Sequence, residues 1–348
     1  MLCISPKERR DMGEKDILEK RLIRKNEVFA DIFNNIVFRG RQILDSAALQ
    51  SMPAESNTRR PGGRWRQGYR DIRKADRNSQ QYRLICGIEN QQDTDNTMPI
   101  RNMGYDYAAY EEQITELQAQ NRANHHPAYT KGLHDDQKLV PVVTTVLFFG
   151  KDWTGPRSLH ELLAFPEAHR DLLEQLVPDY HLNLIRMDEL PAEVIERLTS
   201  DFRFVAEYYA GRKHPEKLHA LFTDNTRRIQ YPEELLELLG EISGDSRYQE
   251  LADHIFDEEG EEVTMCIIAD KLEQRGVERG IAQGLERGMA QGLERGMAQG
   301  LERGMAQGRT ETLELVSRMV LNGDADLIAS LSNDDELYQR MYRKYFCS

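Results

Sequence analysis

Tyr82–Gln91 reads YRLICGIENQ. From Tyr82 to Ile88 nearly every position is apolar and β-prone, the pattern of a short central strand covered on both faces. The run ends in an acid, Glu89, followed by Asn90 and Gln91. Upstream, GYRDIRK at Gly68–Lys74 alternates in character, and the polar stretch Asp76–Gln81 between the two segments predicts a hairpin turn. A hairpin of that register sets Asp71 beside Glu89 at one edge of a sheet. Two carboxylates are the minimum for holding a hard divalent cation, and the backbone carbonyl of Asn90 offers a third oxygen. Gln91, two residues after Glu89, points to the same side of the strand and could orient a water by hydrogen bonds.

Working outward, apolar residues from Ile17 and Leu18 to Phe33 and Ile36 recur at helical spacing from about Lys15. Glu27 and Asp31 fall four apart on that helix and share a face, so either could add a carboxylate. Met1–Lys15 reads as a loose polar tail, and Ser51–Gly68, rich in Pro, Gly, Ser, Asn and Arg, as a loop. Downstream, the pattern predicts a helix over Met98–Gln120 and a second buried strand over Leu139–Phe149. A helix start at Arg157–Ala164, an edge strand at Leu182–Leu184 and a largely helical Pro191–Ala269 follow. The expectation is an α/β core with an α-helical C-terminal extension. Its divisions are a flexible tail (1–15), the core (16–190), a helical subdomain (191–275), a glycine repeat (276–309) and C-terminal helices (310–348).

The chain has 348 residues, room for one sizeable core and a smaller second unit, and a net charge of −13. The charge is uneven. Arg59–Lys74 holds seven cations, Arg64, Arg66, Arg73 and Lys74 among them, against one acid, Asp71, whereas Tyr231–Glu262 is strongly acidic. An acidic total therefore leaves room for a polyanion that meets the local basic patch. Trp65 and Tyr69 interleave with those arginines, a composition suited to phosphate contact with some stacking. Four scattered cysteines without metal spacing, no signal-peptide pattern and no spanning apolar run point to a cytoplasmic protein without membrane contact. His125, His126, His134 and His160 read as surface-loop residues rather than metal ligands.

Glu278–Arg309 repeats ERGIAQGL, ERGMAQGL, ERGMAQGL, ERGMAQGR, with glycine at every fourth position from Gly276 to Gly308. Apolar residues from Val277 to Met305 keep the same step, so on a helix their stripe winds right-handed. Nine glycines cost roughly 7–9 kcal/mol against alanine. The segment is expected to be either a flexible spacer or a helix packed on another through its glycine groove, for example its own copy in a homodimer.

The strings RDIRK, IENQQDTDNTMPIRNMGYDYAAYEEQI and VPVVTTVLFFGKDWTGPRSLHELL, then DFRFVAEYYAG and VTMCIIADKLEQRG, resemble in order the Rpn (recombination-promoting nuclease) and transposase family, part of the PD-(D/E)XK nuclease superfamily. The resemblance covers most of Lys25–Gly308 and includes the glycine repeat. It implies a restriction-endonuclease-like mixed sheet flanked by helices, with Asp71 and Glu89 in the places of the metal-binding acids. It further implies Mg²⁺-dependent cutting of DNA (with Mn²⁺ as a substitute), linked to recombination or mobile elements, and no organic cofactor. Gln91 stands where the wider superfamily has lysine, and E-x-Q is usual within the family. FADIFNN matches the family's first helix, leaving Glu27 and Asp31 as alternatives. The rival expectation is a catalytically silent DNA-binding or self-assembling scaffold with the same fold.

Overall fold

The computed structural model describes residues 6–53, 55–59, 65–69, 71–77, 82–124, 133–212, 214, 221, 225–252 and 263–347, with the backbone alone at 6–14, 55–59, 65–69 and 82. Tyr82–Gln91 is the central strand, β5, of a five-stranded sheet. Its neighbours are β4 (Ile72–Arg77) and β6 (Val142–Phe148), with β1 (Leu49–Ser51) and β7 (Asn183–Arg186) at the edges. Pairing is antiparallel across β1, β4 and β5 and parallel across β5, β6 and β7. Connection length explains the directions. Only residues 78–81 separate β4 from β5, whereas a parallel return needs a crossover, here the helix α3 (Met98–Ala123).

Alternation sends the strand side chains to two covered faces. Cys86, Ile88, Leu147 and Phe149 enter one large core, while Val146 and Phe148 turn the other way, to Met98 and Trp153. The large core is completed by α1 (Pro6–Ile23), α2 (Asn26–Ile32), α5 (Ala192–Arg197) and α6 (Phe202–Gly211). It continues into α7 (Pro232–Ser243), α8 (Ser246–Ala252) and the start of α9 (Met265–Leu321). The described residues of 191–272 therefore fall in one compact unit with the sheet. Helix α4 (Arg170–Leu176) lies in the connection to β7. Among the described residues no helix is long and apolar enough to cross a membrane.

Several sequence expectations change. Helix α1 already begins at Pro6, so residues 6–15 are not a loose tail. The helical run then breaks at Lys25, whose ψ of 134° is extended, and resumes as α2 with a π-helical turn at Phe33–Val37. The expected loop over Ser51–Gly68 contains an antiparallel hairpin, β2 (Glu55–Arg59) with β3 (Trp65–Tyr69). Arg157–Ala164 yields one 3₁₀ turn, His160–Leu162. Part of the acidic stretch forms ion pairs with residues of and just after α1. Glu233 and Glu237 of α7 pair with Arg21 of α1 at 3.0 and 2.6 Å, and Glu234 pairs with Lys25 at 2.7 Å.

The chain divides into two units, Met1–Leu272 and Glu273–Ser348. The repeat is helical throughout, inside α9, and a methyl group added at any glycine from Gly280 to Gly308 would meet no heavy atom within 4 Å. In the second unit Leu315 and Met319 pack on Leu337 and Met341 of α10 (Asp335–Phe346).

Asp31 does structural work in this core. It is buried, and its carboxylate accepts from Thr199 N (2.9 Å), Ser200 N (2.8 Å), Ser200 Oγ (2.7 Å) and Asn35 Nδ2 (2.7 Å). Asp31→Ala strands those donors, so urea unfolding should show a loss of more than about 3 kcal/mol.

Candidate functional site

The site starts from one register. Ile72 pairs with Ile88, so the next step out sets Asp71, just before β4, against Glu89. Two backbone amides tie the segments together. Asp71 N donates to Glu89 Oε1 at 3.3 Å, and Asn90 N donates to Asp71 Oδ2 at 2.8 Å. In an antiparallel ladder a residue's N–H and C=O face the same neighbour, so the Asn90 carbonyl also looks toward Asp71. Gln91 lies half-buried on the sheet face that carries Glu89.

Each acid is matched by a cation from a different helix. Lys20 of α1 stands 2.7 Å from Asp71 Oδ1 and also pairs with Asp16. Burial works against the Lys20 ammonium, but the two carboxylates outweigh it and hold its pKa above the ordinary value. On the opposite sheet face Arg101 of α3 reaches Glu89 Oε2 at 3.4 Å and Asp95 at 2.6 Å. Glu89 is only 1% exposed.

A third acid, Glu19 of α1, was missed by the sequence reading. It is 1% exposed, and Gln92 Nε2 donates to both of its oxygens at 2.9 and 3.0 Å. Tyr209 of α6 donates to it at 3.2 Å, and Lys15 donates to Gln92 Oε1 at 2.8 Å. Burial pushes the Glu19 carboxyl up to about 7, against the pull of Lys15, Gln92 and Tyr209. The signal was present in the sequence: Glu19 precedes Leu22 and Ile23 by three and four residues, which places an acid on the buried helix face.

The other predicted residues go elsewhere. Glu27 accepts from Tyr231 at 2.9 Å and, with Asp31, lines a separate cavity with Asp45, Ser46 and Thr199. Neither joins the Asp71–Glu89 pair. Arg73 and Lys74 cannot meet a phosphate at the surface, because β4 is an inner strand covered on both faces. Arg73 is 5% exposed and donates to Glu112 of α3 at 2.7 Å. Lys74 is 2% exposed and donates to Arg24 O and Asn26 Oδ1. Arg64 lies outside the described residues, and Arg66 is described only in its backbone.

Among the described residues no group of three or more His, Cys, Asp or Glu side chains is placed to hold a metal ion. What the site offers a hard cation is the two carboxylates and the Asn90 carbonyl. Beside them the Asn90 side-chain amide is buried without a hydrogen-bond partner. That donor set is all oxygen, the chemistry Mg²⁺ or Mn²⁺ takes. Compared with protein-family models, curated proteins and solved structures, the chain matches none.

Glu19 gives the first unit a pH signature. Its folded-state pKa of about 7 lies above its ordinary 4.5, so the folded chain holds this proton longer than the unfolded chain. Stability should therefore fall as pH rises from about 4.5 to about 7, by up to ~3 kcal/mol, and then level off. Urea unfolding at pH 5 and pH 8 should show this difference in the wild type and lose it in Glu19→Gln.

Proposed function

We propose that the chain is a metal-dependent DNA endonuclease, with Asp71 and Glu89 as its central acids. The observation that carries the reading is the placing of both acids at the end of β5, Glu89 accepting from Asp71 N and Asp71 from Asn90 N, beside the Asn90 carbonyl. The mixed sheet, with an antiparallel β1–β4–β5 side and α3 as the parallel crossover, suits the restriction-endonuclease-like core that the Rpn resemblance implies. Asp71, Glu89 and the Asn90 carbonyl would hold Mg²⁺, or Mn²⁺ in its place. Such an ion supplies charge that neutralises a phosphate and lowers the pKa of water. Gln91, on the face of Glu89, orients the attacking water through its amide. Lys20 and Arg101 hold the two carboxylates apart from one another's charge. The resemblance extends the reading to recombination or mobile elements, and the exposed apolar residues of α9, Ile281 to Met305, favour self-association as a homodimer.

One observation favours the rival scaffold. Both acids already have cationic partners, Lys20 and Arg101, and among the described residues no third His, Cys, Asp or Glu joins them to hold a metal ion. An inactive chain with this fold would keep those pairs as plain salt bridges.

Nicking of supercoiled plasmid separates the two. With Mg²⁺ or Mn²⁺ the wild type should nick, and EDTA should stop it. Asp71→Asn and Glu89→Ala should lower the rate by roughly 100-fold or more, the effect of losing several kcal/mol of transition-state stabilisation. Nicking that survives both substitutions, or none by the wild type with either ion, would leave the scaffold.

A further inference from the structure

Strands β5 and β6 run parallel and end side by side. The loops that leave them, with Lys15 of α1 and Arg212 just past α6, border an open cavity of about 530 Å³. Its lining includes Lys15, Gln92, Thr94, Gly150, Lys151 and Arg212. The carboxyl ends of adjacent parallel strands are where open α/β sheets place ligands. Gly150 permits the close approach that shapes this one. A Cβ there would lie 2.3 Å from Gln92 O and 2.4 Å from the Phe148 ring.

The cations in the cavity are arranged unusually. Lys15 Nζ and the Arg212 guanidinium both stand against the Tyr209 ring, 5.5 and 5.2 Å from its centroid. Two like charges thus stand against one neutral aromatic ring. The hydrogen-bond acceptor of Lys15 is likewise neutral, the Gln92 amide oxygen. Burial lowers the Lys15 pKa, with Glu19 and Glu241 opposing and Arg212 adding to the fall. Of the two acids on the lining, Asp152 leans to Arg186 at 3.6 Å and Asp93 is exposed at the rim. The cavity also adjoins the acid pair: Gln92 follows Glu89 by three residues and holds Glu19, the helical neighbour of Lys20.

We propose that this cavity binds a phosphate group, with Lys15 and Arg212 as its two charges and Lys151 at its mouth. An anion seated there relieves the repulsion between the two cations and replaces water at an open, polar site. Only the identity of the carrier rests on the nuclease reading, under which it is a backbone phosphate of the polynucleotide strand that flanks the cut.

The test uses the full chain in EDTA, so that neither metal nor cleavage enters. Binding of a fluorescent DNA duplex is followed by anisotropy across a salt series, with inorganic phosphate as competitor. Arg212→Gln and the double variant Lys15→Gln/Arg212→Gln are compared with Arg170→Gln, an exposed control remote from the cavity. Melting followed by circular dichroism confirms that each is folded. The double variant should bind the duplex about tenfold more weakly and lower the salt slope by about 2, Arg212→Gln alone by about 1, and the control by nothing. Phosphate should compete in the wild type and lose that effect in the double variant. Unchanged affinity and slope in both variants would overturn the proposal, even if the wild type nicks plasmid. The expected losses in a chain that never nicks would uphold the phosphate site and sink the nuclease reading instead.

Discussion

The pairing of Ile72 with Ile88 is the constraint on which the rest of the site hangs. Side chains alternate along a strand, so a slip by one residue would drive Glu89 into the apolar core and turn Ile88 toward α3. In the observed register Ile88 joins the large core and Glu89 faces Arg101. β4 proper ends at Ile72, and the Asp71 carboxylate takes the Asn90 N–H that the next ladder residue would otherwise engage. The acid thus closes the end of the sheet as well as standing in the site. Neighbouring carboxylates repel, and the offsetting charges come from two helices, Lys20 from α1 and Arg101 from α3. The acid pair therefore ties both helical layers to the strand between them.

How much of this was legible depended on how local the cause was. YRLICGIENQ announced a buried strand because a continuous apolar run has few other uses, and the short link to β4 fixed the hairpin that opposes Asp71 and Glu89. What escaped were features settled by distant chain. Asp31 looked like a spare helical acid, yet its partners are Thr199 and Ser200. Glu19 passed as one more polar residue of the first helix, and only Tyr209 and Gln92 reveal why an acid belongs there. Arg73 and Lys74 looked like surface bases because IRKADR is polar on both faces. Their burial follows from β1 on one flank and from α2 and α3 above and below, none of which local pattern could place.

The glycine repeat poses a different problem. A segment that gives up roughly 7–9 kcal/mol to glycine needs support that its own sequence does not supply. The support sits at the ends of α9. Met265, Ile268 and Leu272 belong to the core of the first unit, and Leu315 and Met319 to the packed end of the second. Between them the apolar residues advance by about 40° per four-residue step. From Val277 to Met305 that is seven steps, roughly 280°, so no flat face collects them. A second helix that covered the stripe would have to wind right-handed around it, close along the glycines.

Charge placement connects these parts. A chain at −13 repels a polyanion at long range, but screening confines that repulsion to about 8–10 Å at physiological salt. Contact is then decided by the nearest fixed charges. With Arg73 and Lys74 turned inward, the cations described near the ends of β5 and β6 include Lys15 and Lys20 from α1, Arg101 from α3, Lys151 and Arg212. Lys20 and Arg101 are matched by Asp71 and Glu89, whereas Lys151, Arg212 and Lys15, the last partly offset by Glu19 and Glu241, border the cavity beyond Gln92. Among the described residues, Lys15, Lys151 and Arg212 thus gather at the cavity beyond Gln92, while Asp71 and Glu89 stand with their own cationic partners before it.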